Sequence, residues 1–113
     1  MKSSIIWKDF EKIDLRLGTI IKVDEFPKAH KPAYKLEIDF GSDIGVLKSS
    51  AQITVHYDQK LLLGKQVVAV VNFPKKQIAD FMSECLVTGF EDEDGDIVLA
   101  TVDMPLPNGV SLK

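Results

Sequence analysis

With 113 residues the chain is long enough for one domain with its own core and too short for two. Hydrophobic residues make up 45% and charged residues 27%, which excludes a disordered or low-complexity chain. The net charge of −3 argues against an indiscriminate polyanion binder, but residues 1–90 carry 13 basic and 11 acidic groups, whereas residues 91–113 set Lys113 alone against Glu91, Asp92, Glu93, Asp94, Asp96 and Asp103.

In chain order, Trp7, Phe10 and Ile13 recur around "KDFEK" at a spacing that predicts a short amphipathic helical turn. "LRLGTIIKV" places Leu15, Leu17, Thr19, Ile21 and Val23 on one side of a half-buried strand, with Gly18 permitting a bulge or a close backbone approach. The loop "FPKAHKP" follows, punctuated by Pro27 and Pro32. "YKLEIDF" then alternates Tyr34, Leu36, Ile38 and Phe40 with Lys35, Glu37 and Asp39, so one face is core and the other wet. After Gly41, "IGVLKSS" is a third strand. In "AQITVHYDQKLLLG", Ile53, Val55 and Tyr57 alternate, while Leu61, Leu62 and Leu63 before Gly64 predict a short helical turn with a glycine stop. "QVVAVVNF" is a continuous β-branched run, expected to be buried on both sides. Beyond a loop at Pro74, "CLVTGF" and "DIVLA" flank "EDEDGD", whose Asp-Gly pair suits a hairpin turn. The tail "MPLPNGVSLK" has turn punctuation and little helical character.

Several short strands without long intervening helices exclude the parallel doubly wound folds. A closed antiparallel barrel protects such edges best, although periodicity alone leaves barrel and sandwich open. No apolar run approaches the ~20 residues that span a bilayer, and the apolar patch near the start is too short for a signal peptide. Cys85 is the single cysteine, which excludes a disulfide framework. The expectation is a cytoplasmic protein with no membrane insertion.

The acidic run does not form an EF-hand loop, because Gly95 at the sixth position puts Phe90 and Thr101 where carboxylates are required. A solvated hairpin turn is the simpler reading. His30 and His56 have no second His or Cys at a ligand spacing. A Cys85–His56 nucleophile pair stays open beside the plainer reading of Cys85 as a small buried hydrophobe. Without a GxSxG elbow, a phosphate loop or a dinucleotide fingerprint, no catalytic residue, metal site or cofactor is expected, and the chain reads as a non-enzyme. Two basic clusters remain: Lys28, His30, Lys31 and Lys35, and then Lys75 and Lys76 with Lys48. Each is either a solvated surface or a site. Phe73 and Phe81 flank the second cluster, either as a base-stacking platform or as an apolar patch for a peptide or a second subunit.

Taken together, "DLRLGTIIKVDEFPKAHKPAYKLEIDFG", "SSAQIT", "GKQVVAVVNFPKKQIADFMSECLVTGF" and the closing "PNG" resemble the CsaA family, small export-related chaperones built on a tRNA-binding-type domain. The resemblance runs from about Phe10 to Lys113. It implies an all-β, five-stranded OB-fold barrel with short helical turns. Residues 1–113 would form a single domain whose N- and C-terminal extensions build a homodimer. On such barrels the loop between the first two strands faces oligonucleotides, which would bring both basic clusters to one face.

The implied function is a cytoplasmic chaperone that binds unfolded preproteins or peptides and assists protein export, with an export ATPase as a further partner. Phe73, Ile78, Phe81 and Met82 are its candidate peptide-binding residues, with Phe81 and Met82 equally readable as dimer core. The alternative is a tRNA- or structured-RNA-binding module. It would use Lys28, Lys31, Lys48, Lys75 and Lys76 on phosphates and Ser49, Ser50, Gln52, Asn72 and Ser83 as neutral hydrogen-bonding groups. The chain matches the wider group's motif at Asn72, Lys75, Ser83 and Glu84 but reads Cys85-Leu86 where the motif has Gly-Met. It also carries Asp80 and Met82 where relatives commonly have glycine and lysine. Those changes remove positive charge beside Lys75 and Lys76, which tilts the expectation from RNA toward polypeptide.

Overall fold

The computed structural model describes residues Met1–Lys113. Alternation in β2 (Tyr34–Asp39) carries Leu36 and Ile38, and then Phe40, into the interior, each no more than 1% exposed. β2 lies between β1 (Leu15–Glu25) and β3 (Val46–Ala51); β4 (Gln66–Val70) pairs with β1, and β7 (Leu86–Val87) with β4. All these pairings are antiparallel, in the order β3-β2-β1-β4-β7. The seam between β3 and the residues preceding β7 is then stitched. Glu84 N donates to Lys48 O at 2.8 Å and Ser49 Oγ donates to Cys85 O at 3.0 Å. The result is a nearly closed five-stranded antiparallel barrel, an OB-fold, as the resemblance implied.

β1 departs from the simple alternation read in its sequence. Ile20 faces Ile38 and Lys22 faces Glu37, so Ile21 is the extra residue of a β-bulge and turns outward at 47% exposure. The interior set is therefore Gly18 and Ile20 before the bulge and, past it, Val23 opposite Leu36. Gly18 serves the other purpose allowed to it: a Cβ there would stand 2.6 Å from Ile38 Cγ2 and 2.7 Å from the Phe40 ring. Leu17 points away from the interior and shares a cavity with Val68, Val102, Leu106, Val110 and Leu112. The C-terminal segment is held over this face by Leu17 N to Val110 O at 3.0 Å and Gly109 N to Leu17 O at 2.7 Å. β4 is buried on both sides, as its β-branched run predicts, with Val67 and Ala69 in the barrel and Val68 beneath the tail.

α2 (Gln59–Leu62) forms where the leucine run predicts a helical turn: Asp58 caps it by accepting Leu61 N at 2.8 Å, and Gly64 follows with φ +86°. Leu62 plugs the barrel while Leu61 and Leu63 stay exposed. The alternation read through Ile53, Val55 and Tyr57 does not form a strand, since only Ile53 is buried and Val55 is exposed in a turn. α1 (Trp7–Glu11) buries none of its residues. The "CLVTGF" run divides between β7 and β8 (Gly89–Glu91), and β8 pairs with β9 (Ile97–Leu99) around Gly95 in the expected hairpin. A second hairpin stands where only a loop was foreseen: β5 (Lys76–Ile78) pairs with β6 (Phe81–Ser83).

Candidate functional site

The β5–β6 hairpin and the loop between β1 and β2 meet on one side of the barrel. Phe26, at the start of that loop, is 4% exposed and takes the edge of Phe81 at a centroid distance of 5.5 Å. Lys35 Nζ stands 5.5 Å over the Phe26 ring, a cation–π contact. Above this aromatic pair Lys28 Nζ reaches Asp80 Oδ2 at 2.9 Å. Beside it, Lys22, Asp24, Lys35, Glu37, Lys48 and Phe81 line a groove of about 180 Å³. Lys28 and Lys35 of the first cluster thus meet the hairpin and Lys48 of the second, while Lys75 joins Lys48 through Glu84. Phe26, Lys35 and Asp80 organise this side. Phe26 was missed because its role depends on a ring 55 positions away in the chain.

The hairpin register separates residues that sequence reasoning had grouped. Ile78 pairs with Phe81, and Gln77 with Met82, so the two pairs occupy opposite faces. Phe81 turns toward Phe26, while Met82 is 39% exposed. Phe73 is exposed just before the hairpin.

Three of the neutral candidates have structural duties: Ser49 is buried, while Ser83 is half-buried and Asn72 exposed. Ser49 is 1% exposed inside the barrel, with its hydroxyl given to Cys85 O. Asn72 stands at the far end of β4, where Oδ1 accepts Asp14 N at 3.0 Å and Nδ2 donates to Lys12 O at 2.7 Å. It lines the concavity of about 460 Å³ between α1 and residues 111–113. Ser83 Oγ accepts Ser50 N at 3.3 Å across the seam, so Ser50 contributes its backbone there as well. Gln52 is exposed just past β3.

The Ser83-Glu84 pair explains itself at this seam. β3 is an edge strand, and its outward N–H groups need acceptors. Glu84 Oε1 takes Lys48 N at 3.0 Å and Ser83 Oγ takes Ser50 N. Glu84 Oε2 also lies 3.4 Å from Lys75 Nζ, so one carboxylate joins the seam to the basic hairpin. Short polar side chains close the barrel where backbone pairing stops.

Electrostatically the face is mixed. Lys28 is paired with Asp80 and Lys75 with Glu84, whereas Lys31, Lys35, Lys48 and Lys76 have no carboxylate partner. Lys28 lies above the ordinary lysine value and Asp80 below the ordinary carboxylate value, each chiefly through their mutual hydrogen bond.

The remaining chemical candidates sit elsewhere. Burial pushes the Cys85 thiol up to about 12, so its nucleophilic thiolate is suppressed, and Sγ faces Lys48 O at 3.7 Å. His56 Nε2 meets Asp92 Oδ2 at 2.6 Å rather than serving the thiol. Ligand atoms of His56, Asp92 and Asp96 lie within 4.8 Å of one another, a grouping the linear spacing concealed. Asp92 Oδ1 already accepts both Asp94 N and Asp96 N at 2.9 Å, so the grouping is accounted for by the hairpin turn. No helix is long and apolar enough to cross a membrane.

The fold recurs in known proteins. The crystal structure of the chaperone CsaA from Bacillus anthracis superposes with a TM-score of 0.92 at 49% identity, covering 98% of this chain and 100% of that one. The CsaA chaperone protein of Picrophilus torridus gives 0.90 at 50% identity, covering 97% and 100%. The methionine–tRNA ligase of Methanocaldococcus jannaschii is 31% identical over 103 residues, which are 91% of this chain and 15% of that protein. The chain spans only 13–16% of the length of the ligases it matches, so the likeness is to one domain of them. Residues 15–111 match the family described as "Putative tRNA binding domain". The chain belongs to that family and, within it, to the CsaA family.

Proposed function

We propose that the face formed by the β1–β2 loop and the β5–β6 hairpin binds extended polypeptide, and that the chain is a cytoplasmic chaperone holding unfolded preproteins or peptides for export. The observation that carries this reading is the pairing of Lys28 with Asp80 and of Lys75 with Glu84 on a region of chain that also leaves Phe73 and Met82 exposed. A phosphate-reading surface gains from every free cation, whereas exposed apolar side chains among balanced charge suit unfolded chain. Methionine adapts to varied partners. The solved CsaA chaperones that match the whole chain support the same reading. An export ATPase is carried as a partner by the resemblance alone. The activity is binding rather than catalysis, consistent with a buried thiol and with relatives matched through a binding domain.

The termini are proposed as dimerisation extensions of this single domain. Ile5, Ile6 and Trp7 are each at least 65% exposed, and α1 has no buried residue, so the N-terminal segment carries apolar surface without a partner in the protomer. Sedimentation equilibrium would give a dimer.

A second reading, tRNA binding, is favoured by the four unpaired lysines and by the family's description. One pair of assays separates the two. Suppression of aggregation of a chemically denatured protein that survives Met82→Ser and Phe73→Ser would remove the polypeptide reading. Tight tRNA binding that weakens steeply between about 50 and 200 mM salt would establish the second.

A further inference from the structure

We infer that Asp80 is a specificity-determining residue: an internal anion that occupies Lys28 and lowers the affinity of this face for phosphate polymers. The inference rests on the proposed reading of the face as a polypeptide site and names what keeps polyanions off it. Asp80 stands at the turn of the β5–β6 hairpin, next to Ala79, whose φ of +52° is the only positive value outside glycine. The carboxylate reaches Lys28, 52 residues away in the chain, at 2.9 Å. The edge contact between Phe26 and Phe81 below holds the two loops in that relation. Both charged side chains are more than half exposed, so the pair is accessible to a competing ion.

A phosphate that approaches Lys28 must displace a carboxylate already bonded there, and it then faces that carboxylate as a like charge. A neutral or apolar polypeptide segment meets no such opposition. Glu84 masks Lys75 in the same sense, but it also accepts Lys48 N and cannot be removed without opening the seam. Asp80 has no such structural duty beyond its own turn. Discrimination by disfavouring the wrong ligand is an established route to specificity.

The test uses the full chain and bulk tRNA as probe, with binding read by fluorescence anisotropy across a salt series. Asp80→Asn keeps the side-chain shape and frees Lys28. It is expected to tighten tRNA binding several-fold at about 50 mM salt and to steepen the dependence of log affinity on log salt by about 0.9, one further phosphate contact. The double variant Lys28→Gln, Asp80→Asn is expected to return the slope to that of the unaltered chain. An unchanged slope in Asp80→Asn, or no detectable binding by that variant, overturns the inference. So does a gain that persists in the double variant, which would mark a general charge effect rather than release of Lys28. Aggregation suppression by the unaltered chain is measured in parallel. Its absence removes the polypeptide reading without touching the tRNA result, so the two failures are distinguishable.

Discussion

The two small hairpins of this barrel are built alike and used differently. β5–β6 and β8–β9 each have strands of three residues and an aspartate in or beside the turn. In β8–β9 that aspartate serves its own backbone: Asp92 Oδ1 accepts Asp94 N and Asp96 N, and Oδ2 meets His56. In β5–β6 the aspartate leaves its hairpin and takes Lys28 of another loop. The difference lies in the donors each turn supplies. A carboxylate surrounded by local N–H groups is committed to the fold, whereas one held by a single exposed ammonium remains open to exchange with a ligand. An acidic residue in a turn is therefore not informative by itself; its partner is.

The largest expected effect tests whether β8–β9 is structural. A Cβ at Gly89 would lie 2.5 Å from Ile97 Cγ2 and 2.7 Å from Val98 O, and the second of these is backbone that cannot swing away. Gly89→Val is expected to lower stability by about 1–3 kcal/mol in chemical denaturation while leaving ligand binding at the β5–β6 face intact. Loss of binding at native stability would collapse the distinction between the hairpins. The turns themselves provide a smaller, opposite pair. Gly95 has φ +84° in open space, so Gly95→Ala pays only the left-handed backbone cost, about 1–2 kcal/mol. Ala79 already bears such strain at φ +52°, and Ala79→Gly is expected to raise stability by up to about 1 kcal/mol, partly offset by glycine's greater freedom when unfolded. Changes of the same sign would refute this account of the turns.

The same contrast shows what was legible in the sequence. "EDEDGD" announces its hairpin because a glycine stands where positive φ is needed. The 76–83 hairpin gives no such signal, since alanine takes that position and its strands are too short for periodicity. The alternation in "YKLEIDF" and the β-branched run of β4 are long enough to state their burial outright. The bulge at Ile21 is not, because Ile20 and Ile21 are chemically alike and only the pairing with β2 decides which faces in. Of the site, the two lysine clusters are legible in the sequence itself, and their convergence came with the family resemblance. The structural roles of Ser49, Ser83 and Asn72 were not legible, because a neutral polar side chain has no face until the strand register is known.

Acid and salt give the finest separation of the two aspartates. Both carboxyls lie below their ordinary value, Asp80 chiefly through the Lys28 hydrogen bond and Asp92 chiefly through the backbone N–H of Asp96, then through His56. A carboxyl lowered in the folded state contributes stability that is present above the ordinary carboxylate value of about 3.9 and lost as pH falls through the folded value. Removing either charge should therefore make the fall in Tm below about pH 4 shallower. Salt tells them apart. At about 1 M the screening length is about 3 Å, so an exposed ammonium–carboxylate pair is weakened while short N–H bonds within one turn persist. Asp80→Asn should differ from the unaltered chain in its acid limb less at high salt than at low salt. Asp92→Asn should differ at low and high salt alike. If both differences shrink together in salt, Asp92 is held by His56 rather than by its own backbone, and the two hairpins are more alike than their hydrogen bonds indicate.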